Sequence, residues 1–551
     1  RSEDGGLTWA KTIGSSEIQS VTAIAQDPRP GFRNIWYYST GERLGNSASG
    51  GGAFFGGNGI YKSVDSARTW SVLPATADNR PQSHTPFDLV FNLAIHPATG
   101  DLYAATWNGI HRTTDGGASF TQVIAGGVDT WTDVMITPGG ALYVTFDSDG
   151  TPNKGIFRST DGTTWTSITP VGYPTVYGRT VLAYTPSDEN IIYVFADNNS
   201  SGHLWRYTHG AATPWTNLTA NIPAFGGNVG NLNTQGGYNM VVKVHPSNPN
   251  MVFLAGTNLY RSPNGFTSRA GMSWIGGYSP LNDVSIYPNQ HPDHHALVFY
   301  PSNPSRALSG NDGGVQYTED ILATNTGTMP VLWTSRNNGY LTTQPYAISF
   351  NTQGTGEQLM AGFQDNGTWS TASGTLATPW GEEFGGDGSY NAYADNGLTR
   401  YVSSQTGNIY RLNYTSADDA AGSYTSFTRI TPAGASGFAF ITPFVLDQNN
   451  DNVMYLPAGR RIWRNDNLDG IPVFSNAQTS VNWTDLVNSQ VATGNVTALA
   501  ISRIPANRLY YGTNTGLVYR IDNANIGDQL KTDISTGKGL PAGFVNCIAV
   551  D

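Results

Sequence analysis

The residues best suited to chemistry in this 551-residue chain are a run of histidines and several acidic side chains framed by glycine. The run is His291-Pro-Asp293-His294-His295. The acidic turns are Gly310-Asn-Asp312-Gly-Gly314, Gln364-Asp365-Asn366-Gly367 and Gly385-Gly-Asp387-Gly388. A Gly-rich insertion, Gly41 to Asn58, adds Glu42 and Arg43. Three readings fit these residues. In the first, two carboxyl groups about 6.5–9.5 Å apart hydrolyse a glycoside with inversion, one protonating the leaving oxygen and the other activating water. Asp312 and Asp387 are the expected pair, with Asp365 as the substitute. In the second, the turns hold a metal. Oxygen-rich turns suit Ca²⁺, and Asp293 with His294 and His295 suits a transition metal. Ca²⁺ is the one cofactor these turns suggest, and nothing in the spacing requires it. In the third, the Asp and Asn side chains tie the inner turns together by hydrogen bonds, and the histidines join them. His291, Asp293, His294, His295 and Glu42 are the candidate ligand-binding residues. Trp107, Trp131, Trp369 and Trp380 fall in or near loops. There they either stack on sugar rings or pack between strands.

These residues need a scaffold, and a repeat supplies it. Gly59-Ile-Tyr-Lys-Ser, Gly109-Ile-His-Arg-Thr, Gly155-Ile-Phe-Arg-Ser, Asn258-Leu-Tyr-Arg-Ser, Asn408-Ile-Tyr-Arg-Leu and Arg461-Ile-Trp-Arg-Asn are copies of one pattern. Its ten copies lie 41 to 56 residues apart. Runs such as Leu102-Tyr-Ala-Ala-Thr and Leu142-Tyr-Val-Thr-Phe precede many of them. Alternating β-branched and aromatic residues punctuated by Gly, Pro and Asn read as short antiparallel strands. Four-stranded units of about 50 residues read as propeller blades. The expected fold is therefore all-β, with tandem β-propellers over 1–340 and 341–551. About ten whole repeats are expected. Arg1 to Trp9 reads as the tail of one further blade, and Phe544 to Asp551 as the first strand of another.

After the third strand several repeats carry Ser-x-Asp-x-Gly-x-Thr-Trp or a near copy, around Asp4, Asp65, Asp115 and Asp161. The Ser and Asp oxygens are placed to accept backbone N–H groups within a hairpin turn, so these four aspartates are expected to be structural. From Ser262 onward the motif degrades while the strand period persists. In a propeller the third-to-fourth turns share one face. The second-to-third loops and the connections between blades share the other, which is where Asp312, Asp365, Asp387, Glu42 and His291 to His295 are expected.

With these motifs the chain resembles the Asp-box propeller proteins, which include sortilin-like rings, sialidases and xyloglucanase-type tandem propellers. It is most similar to those of large secreted bacterial surface proteins. The resemblance implies a secreted or cell-surface bacterial protein that binds extracellular glycan or protein, or works with other surface or secretion components. It also implies two alternatives, a xyloglucanase-like inverting hydrolase and a sortilin-like peptide-binding ring. Arg503-Ile-Pro505 looks like a sialidase signature, but it falls at a proline turn after a first strand, and the arginine triad of that activity has no match.

Composition narrows the classes. Lys+Arg 29 against Asp+Glu 40 gives a net charge of −11, which lacks the basic footprint that nucleic-acid binding needs. No stretch reaches the roughly 20 apolar residues of a membrane-spanning helix. Cys547 is the single cysteine, so internal disulfides and cysteine metal clusters are excluded. Nucleotide-binding, zinc-peptidase and Gly-x-Ser-x-Gly motifs are absent.

Overall fold

Each sequence repeat folds as a four-stranded antiparallel sheet, because its alternating apolar residues can be buried only against a neighbouring sheet. The computed structural model describes the chain apart from residues 15–19, 45–53, 81–84, 200, 226, 228, 282, 284, 325–328, 341, 355–356, 376–377, 541 and 551. Ten such sheets follow one another along the chain, each with its strands in sequence order. The only helical elements among the described residues are three-residue 3₁₀ turns. The chain is an all-β protein of propeller blades. It divides between Thr342 and Thr343 into two compact units. The first unit holds six sheets (21–72, 90–125, 132–167, 180–217, 241–276 and 294–335) and the second holds four (345–384, 392–429, 445–486 and 496–533).

In the first unit the first strands of successive sheets contact one another, and in the second those of the seventh and eighth and of the ninth and tenth sheets do. Every sizeable apolar cluster is a seam between two consecutive sheets. One joins Tyr193 and Phe195 of the fourth sheet to Val242, Val252 and Leu254 of the fifth. Another joins Tyr455 and Ile462 of the ninth to Leu499, Leu509 and Tyr511 of the tenth. Full burial of one such side chain contributes about 1.5–3 kcal/mol, so each sheet depends on its neighbours.

In several repeats the basic residue of the pattern also crosses the seam. Lys62 Nζ donates to the Gly116 carbonyl at 2.8 Å. Arg464 donates to the Ala524 and Gly527 carbonyls, both at 2.7 Å. Arg261 and Arg411 make the same kind of contact with Ala323 (2.9 Å) and Ile471 (3.0 Å). The acceptors lie just beyond the third strand of the next sheet. Tryptophans at or before fourth strands reach the other way. Trp215, Trp333 and Trp483 each donate their ring N–H at 2.8 Å to the preceding sheet, at Ile168, Ile275 and Ile430. Trp9 does the same to the Arg336 carbonyl at 2.6 Å, and Trp70 donates to Thr12 at 3.2 Å. Arg1 to Thr12 therefore takes the seat between the sixth and first sheets of its unit. In the second unit Val545 hydrogen-bonds to Thr513 and Thr497 of the tenth sheet.

The Asp-box turns are built from their own side chains. Ser63 Oγ accepts the Ala67 N–H at 2.9 Å, and Asp65 accepts the Thr69 N–H at 2.9 Å and its hydroxyl at 2.7 Å. Asp4, Asp115 and Asp161 repeat this. Hydrogen bonds from Thr8, Thr69, Ser119 and Thr164 hold these four carboxyls well below the usual carboxylate range. Their contribution to stability is thus present above the ordinary carboxylate pKa and fades only as the pH falls into strong acid. The turn outlasts its sequence motif. Ser262 Oγ still accepts the Phe266 N–H at 2.9 Å, with Asn264 in place of aspartate.

One buried charge anchors the second unit. Glu383 is fully buried and accepts from Ser370 Oγ at 2.5 Å, from the Gly422 N–H at 3.2 Å, and from Arg400 and the Tyr414 hydroxyl. Removing the carboxylate leaves the Arg400 cation buried and uncompensated, which costs about 3–5 kcal/mol. Glu383→Ala is expected to lower unfolding stability by that amount in a urea titration. A loss below about 1 kcal/mol, typical of an exposed pair, would contradict this assignment.

Candidate functional site

Second-to-third loops and the connections between sheets build one face of the first unit, and most of the candidate residues lie there. Asp312 sits between the strands Asn303–Asn311 and Gly314–Thr318. His295 lies at the start of the strand His294–Tyr300, where the pairing register shifts between His294 and Ala296. A bulge of this kind re-aims a side chain. The imidazole Nε2 of His295 meets Asp312 Oδ1 at 2.7 Å. The Tyr238 hydroxyl donates to the same carboxylate at 3.2 Å, and its ring stands edge-on to His295 with centroids 4.8 Å apart. Imidazole and phenol thus converge on one carboxylate, with 37% of the His295 side chain and 10% of the Asp312 side chain exposed.

The other members of the histidine run do different things. His294 turns inward, where Nδ1 meets Ser309 Oγ at 3.3 Å. Burial lowers its pKa to about 3, helped by His295 and His291, so it is neutral at physiological pH. His291 packs over Gly313, where a Cβ would come within 2.5 Å of the His291 Cβ. Its carbonyl accepts the Asn311 side-chain N–H at 2.9 Å. Asp293 takes a left-handed backbone (φ 64°) and accepts from the buried Asn239 amide at 2.6 Å. Its carboxylate lies within 4.8 Å of that of Asp312. Oxygen donors so spaced are compatible with a hard cation such as Ca²⁺.

Glu42 follows the second strand of the first sheet and bridges to Phe55. Burial raises its carboxyl pKa, opposed by Arg179, by the Leu44 N–H at 3.1 Å and by His295. Arg179 donates to the Gly237 carbonyl at 2.9 Å and the Tyr238 carbonyl at 3.1 Å, which fixes the segment carrying Tyr238. The guanidiniums of Arg43 and Arg179 lie 4.8 and 5.6 Å from the Trp131 ring centroid. Arg43 also pairs with Asp129 at 3.0 Å. Beneath this face Asp133 joins three first strands. It accepts from Asn92 at 2.6 Å and from the Leu182 N–H at 3.0 Å, and burial raises its pKa.

Asp365 and Asp387 belong to the second unit. Asp387 is nearly buried and accepts the Asp365 N–H at 3.1 Å, while its own N–H donates to Gln405 at 3.1 Å. Gly388 permits this turn, since a Cβ there would lie 1.9 Å from the Gly367 carbonyl oxygen. Among the loop tryptophans, Trp131 is buried, Trp107 donates to the Thr85 carbonyl at 3.0 Å and Trp369 to Asn366 at 2.5 Å. Trp380 is 39% exposed.

Tyr238, Asn239, Arg179 and Asp133 carry no motif that the sequence alone would flag. The polar Gln235-Gly-Gly turn before Tyr238 is the one local signal. No helix among the described residues is long and apolar enough to cross a membrane.

The chain shares its fold with an ancestral GH74 enzyme at 14% sequence identity and a TM-score of 0.58, covering 96% of this chain and 72% of that one. The GH74 xyloglucanase from Xanthomonas campestris is also similar, at 14% identity and a TM-score of 0.48, covering 95% of this chain and 82% of that one. No protein-family model and no curated protein matches the sequence.

The raised carboxyl of Glu42 has a measurable cost. A carboxyl whose folded pKa lies above its unfolded value stabilises the fold below the unfolded pKa and loses that contribution as the pH rises through the folded one. Glu42→Gln should therefore match the parent melting temperature near pH 4 and exceed it at pH 7. A lower melting temperature for the variant at pH 7 would contradict the raised pKa.

Proposed function

We propose that this chain is a secreted or cell-surface propeller protein that binds extracellular glycan through the loop face of its first unit. The observation that carries the reading is the convergence of His295 and Tyr238 on the partly exposed carboxylate of Asp312. A carboxylate, an imidazole and a phenol together offer the mixed acceptors and donors that sugar hydroxyls need, and the sheets beneath hold them rigid. Binding rather than turnover is favoured because Asp387, the other expected catalytic carboxylate, is engaged in closing its own turn. The likeness in fold to an ancestral GH74 enzyme is compatible with a carbohydrate ligand and does not by itself assign one.

One observation favours a second reading, an inverting glycoside hydrolase. Glu42 has the raised carboxyl pKa of a proton donor. A screen of polysaccharides for both retention and depolymerisation separates the two. The binding reading predicts retention without new reducing ends, at least tenfold weaker in Asp312→Asn and in His295→Ala. The hydrolase reading predicts reducing ends that disappear in Asp312→Asn and Glu42→Gln. Undiminished binding in both Asp312→Asn and His295→Ala, with no depolymerisation, would overturn the assignment of this face.

A further inference from the structure

A pocket of about 280 Å³ lies between the seventh and eighth sheets, on the face formed by third-to-fourth turns of the second unit. It is separate in residues and in face from the Asp312 site. Its size falls near the lower end of small-molecule pockets, ~300–1,000 Å³, and suits one sugar ring. Trp380 lines it, more than a third exposed, its ring standing edge-on to Phe363 with centroids 6.4 Å apart. An aromatic ring held in this way offers a flat apolar surface to the C–H face of a pyranose.

The lining also includes Pro379 and several alanines, and its polar groups are already fixed. Gln358 donates to the Ala417 carbonyl at 2.9 Å and to Asp418 at 3.0 Å. Asp419 accepts the Thr415 N–H at 2.9 Å and its hydroxyl at 2.7 Å. Arg400 also lines the pocket, held by Glu383 and by the Ala417 and Asp419 carbonyls, each at 3.0 Å, with its guanidinium 3.9 Å from the Tyr414 ring centroid. Its buried Nε–H has no acceptor among the described residues. Two carboxylates at the pocket of an acidic chain disfavour an anionic ligand, and the Arg400 charge is already met by Glu383.

We propose that this pocket is a second glycan-binding site that takes one neutral sugar ring of an extracellular polysaccharide, stacked on Trp380 and hydrogen-bonded by Asp418 and Asp419. The site adds a separate contact to whatever the first unit binds. Two weak sites on one chain raise the avidity for a polymer without strengthening either.

The test is calorimetric titration of the full chain carrying Asp312→Asn, which weakens the first unit's face. The probes are neutral gluco-, manno- and xylo-oligosaccharides, with an oligogalacturonide as the anionic control. At least one neutral oligosaccharide should bind. Adding Trp380→Ala should weaken that binding at least tenfold at an unchanged melting temperature, whereas Trp380→Tyr, which keeps a ring, should retain most of it. The oligogalacturonide should not bind. Absence of binding by all neutral probes, full retention in Trp380→Ala, or equal binding of the anionic probe would each overturn the proposal. Because Asp312→Asn weakens the first unit's face in every titration and Trp380 lies in the other unit, the Trp380 comparison is read independently of the glycan site assigned to Asp312.

Discussion

No sheet of this protein can bury its own apolar face, and the whole structure follows from that constraint. Each sheet is covered by the next, and the seams carry the repeat's large side chains. Tyr103, Tyr143, Tyr193, Tyr401 and Tyr455 all sit fully buried on second strands. The seam reaches as far as the turns. A Cβ on Gly162 would lie 2.0 Å from the Tyr103 hydroxyl of the preceding sheet, and one on Gly265 would lie 2.5 Å from that of Tyr193. Both glycines also take left-handed backbones, with φ of 70° and 66°. They are therefore held by two independent demands, one from the turn and one from the neighbour. At Lys62, Arg261, Arg411 and Arg464 the repeated basic residue belongs to the same logic, since it caps carbonyls beyond the seam.

This division of labour leaves one face of the first unit, the one proposed for recognition, outside the Asp-box turns. Its third-to-fourth turns are closed by Asp-box hydrogen bonds and have little left to offer a ligand. Its second-to-third loops and connections are less constrained by the period, and there the chain keeps costly groups. Glu42 is held with a raised pKa beside Arg179 and His295. Asp147 is likewise raised by burial while accepting the Trp131 N–H at 2.8 Å. Groups kept in surroundings that disfavour their charge are candidates for function. The same physics gives the second unit a different outcome, because Asp387 is spent on its own turn and Trp380 is an exposed aromatic that lines a pocket.

The strands and the Asp-box turns were legible in the sequence because both are local. Alternation over five residues specifies a strand, and a Ser and an Asp two residues apart specify the turn they fold into. The turn at Asn264 was not legible, since asparagine keeps the geometry while erasing the motif. The site was legible only in part. Asp312 and the histidine run stood out, but their division did not. His294 goes to the interior and His295 to Asp312, a split that strand alternation allows but whose direction no local pattern announces. Tyr238 reaches Asp312 across 74 residues, and Asn239 reaches Asp293 across 54. Such meetings are set by how the sheets follow one another, not by any spacing in the chain.

Seams and Asp-boxes provide stability, and the loop face of the first unit is the surface proposed to meet the ligand. Hydrogen–deuterium exchange of the full chain, with and without a glycan that it retains, addresses this directly. In the first unit, protection should appear in the segments around Glu42, Tyr238, His295 and Asp312, and the turns around Asp65, Asp115 and Asp161 should exchange as before. Protection of those Asp-box turns, with none around Tyr238 and Asp312, would contradict it.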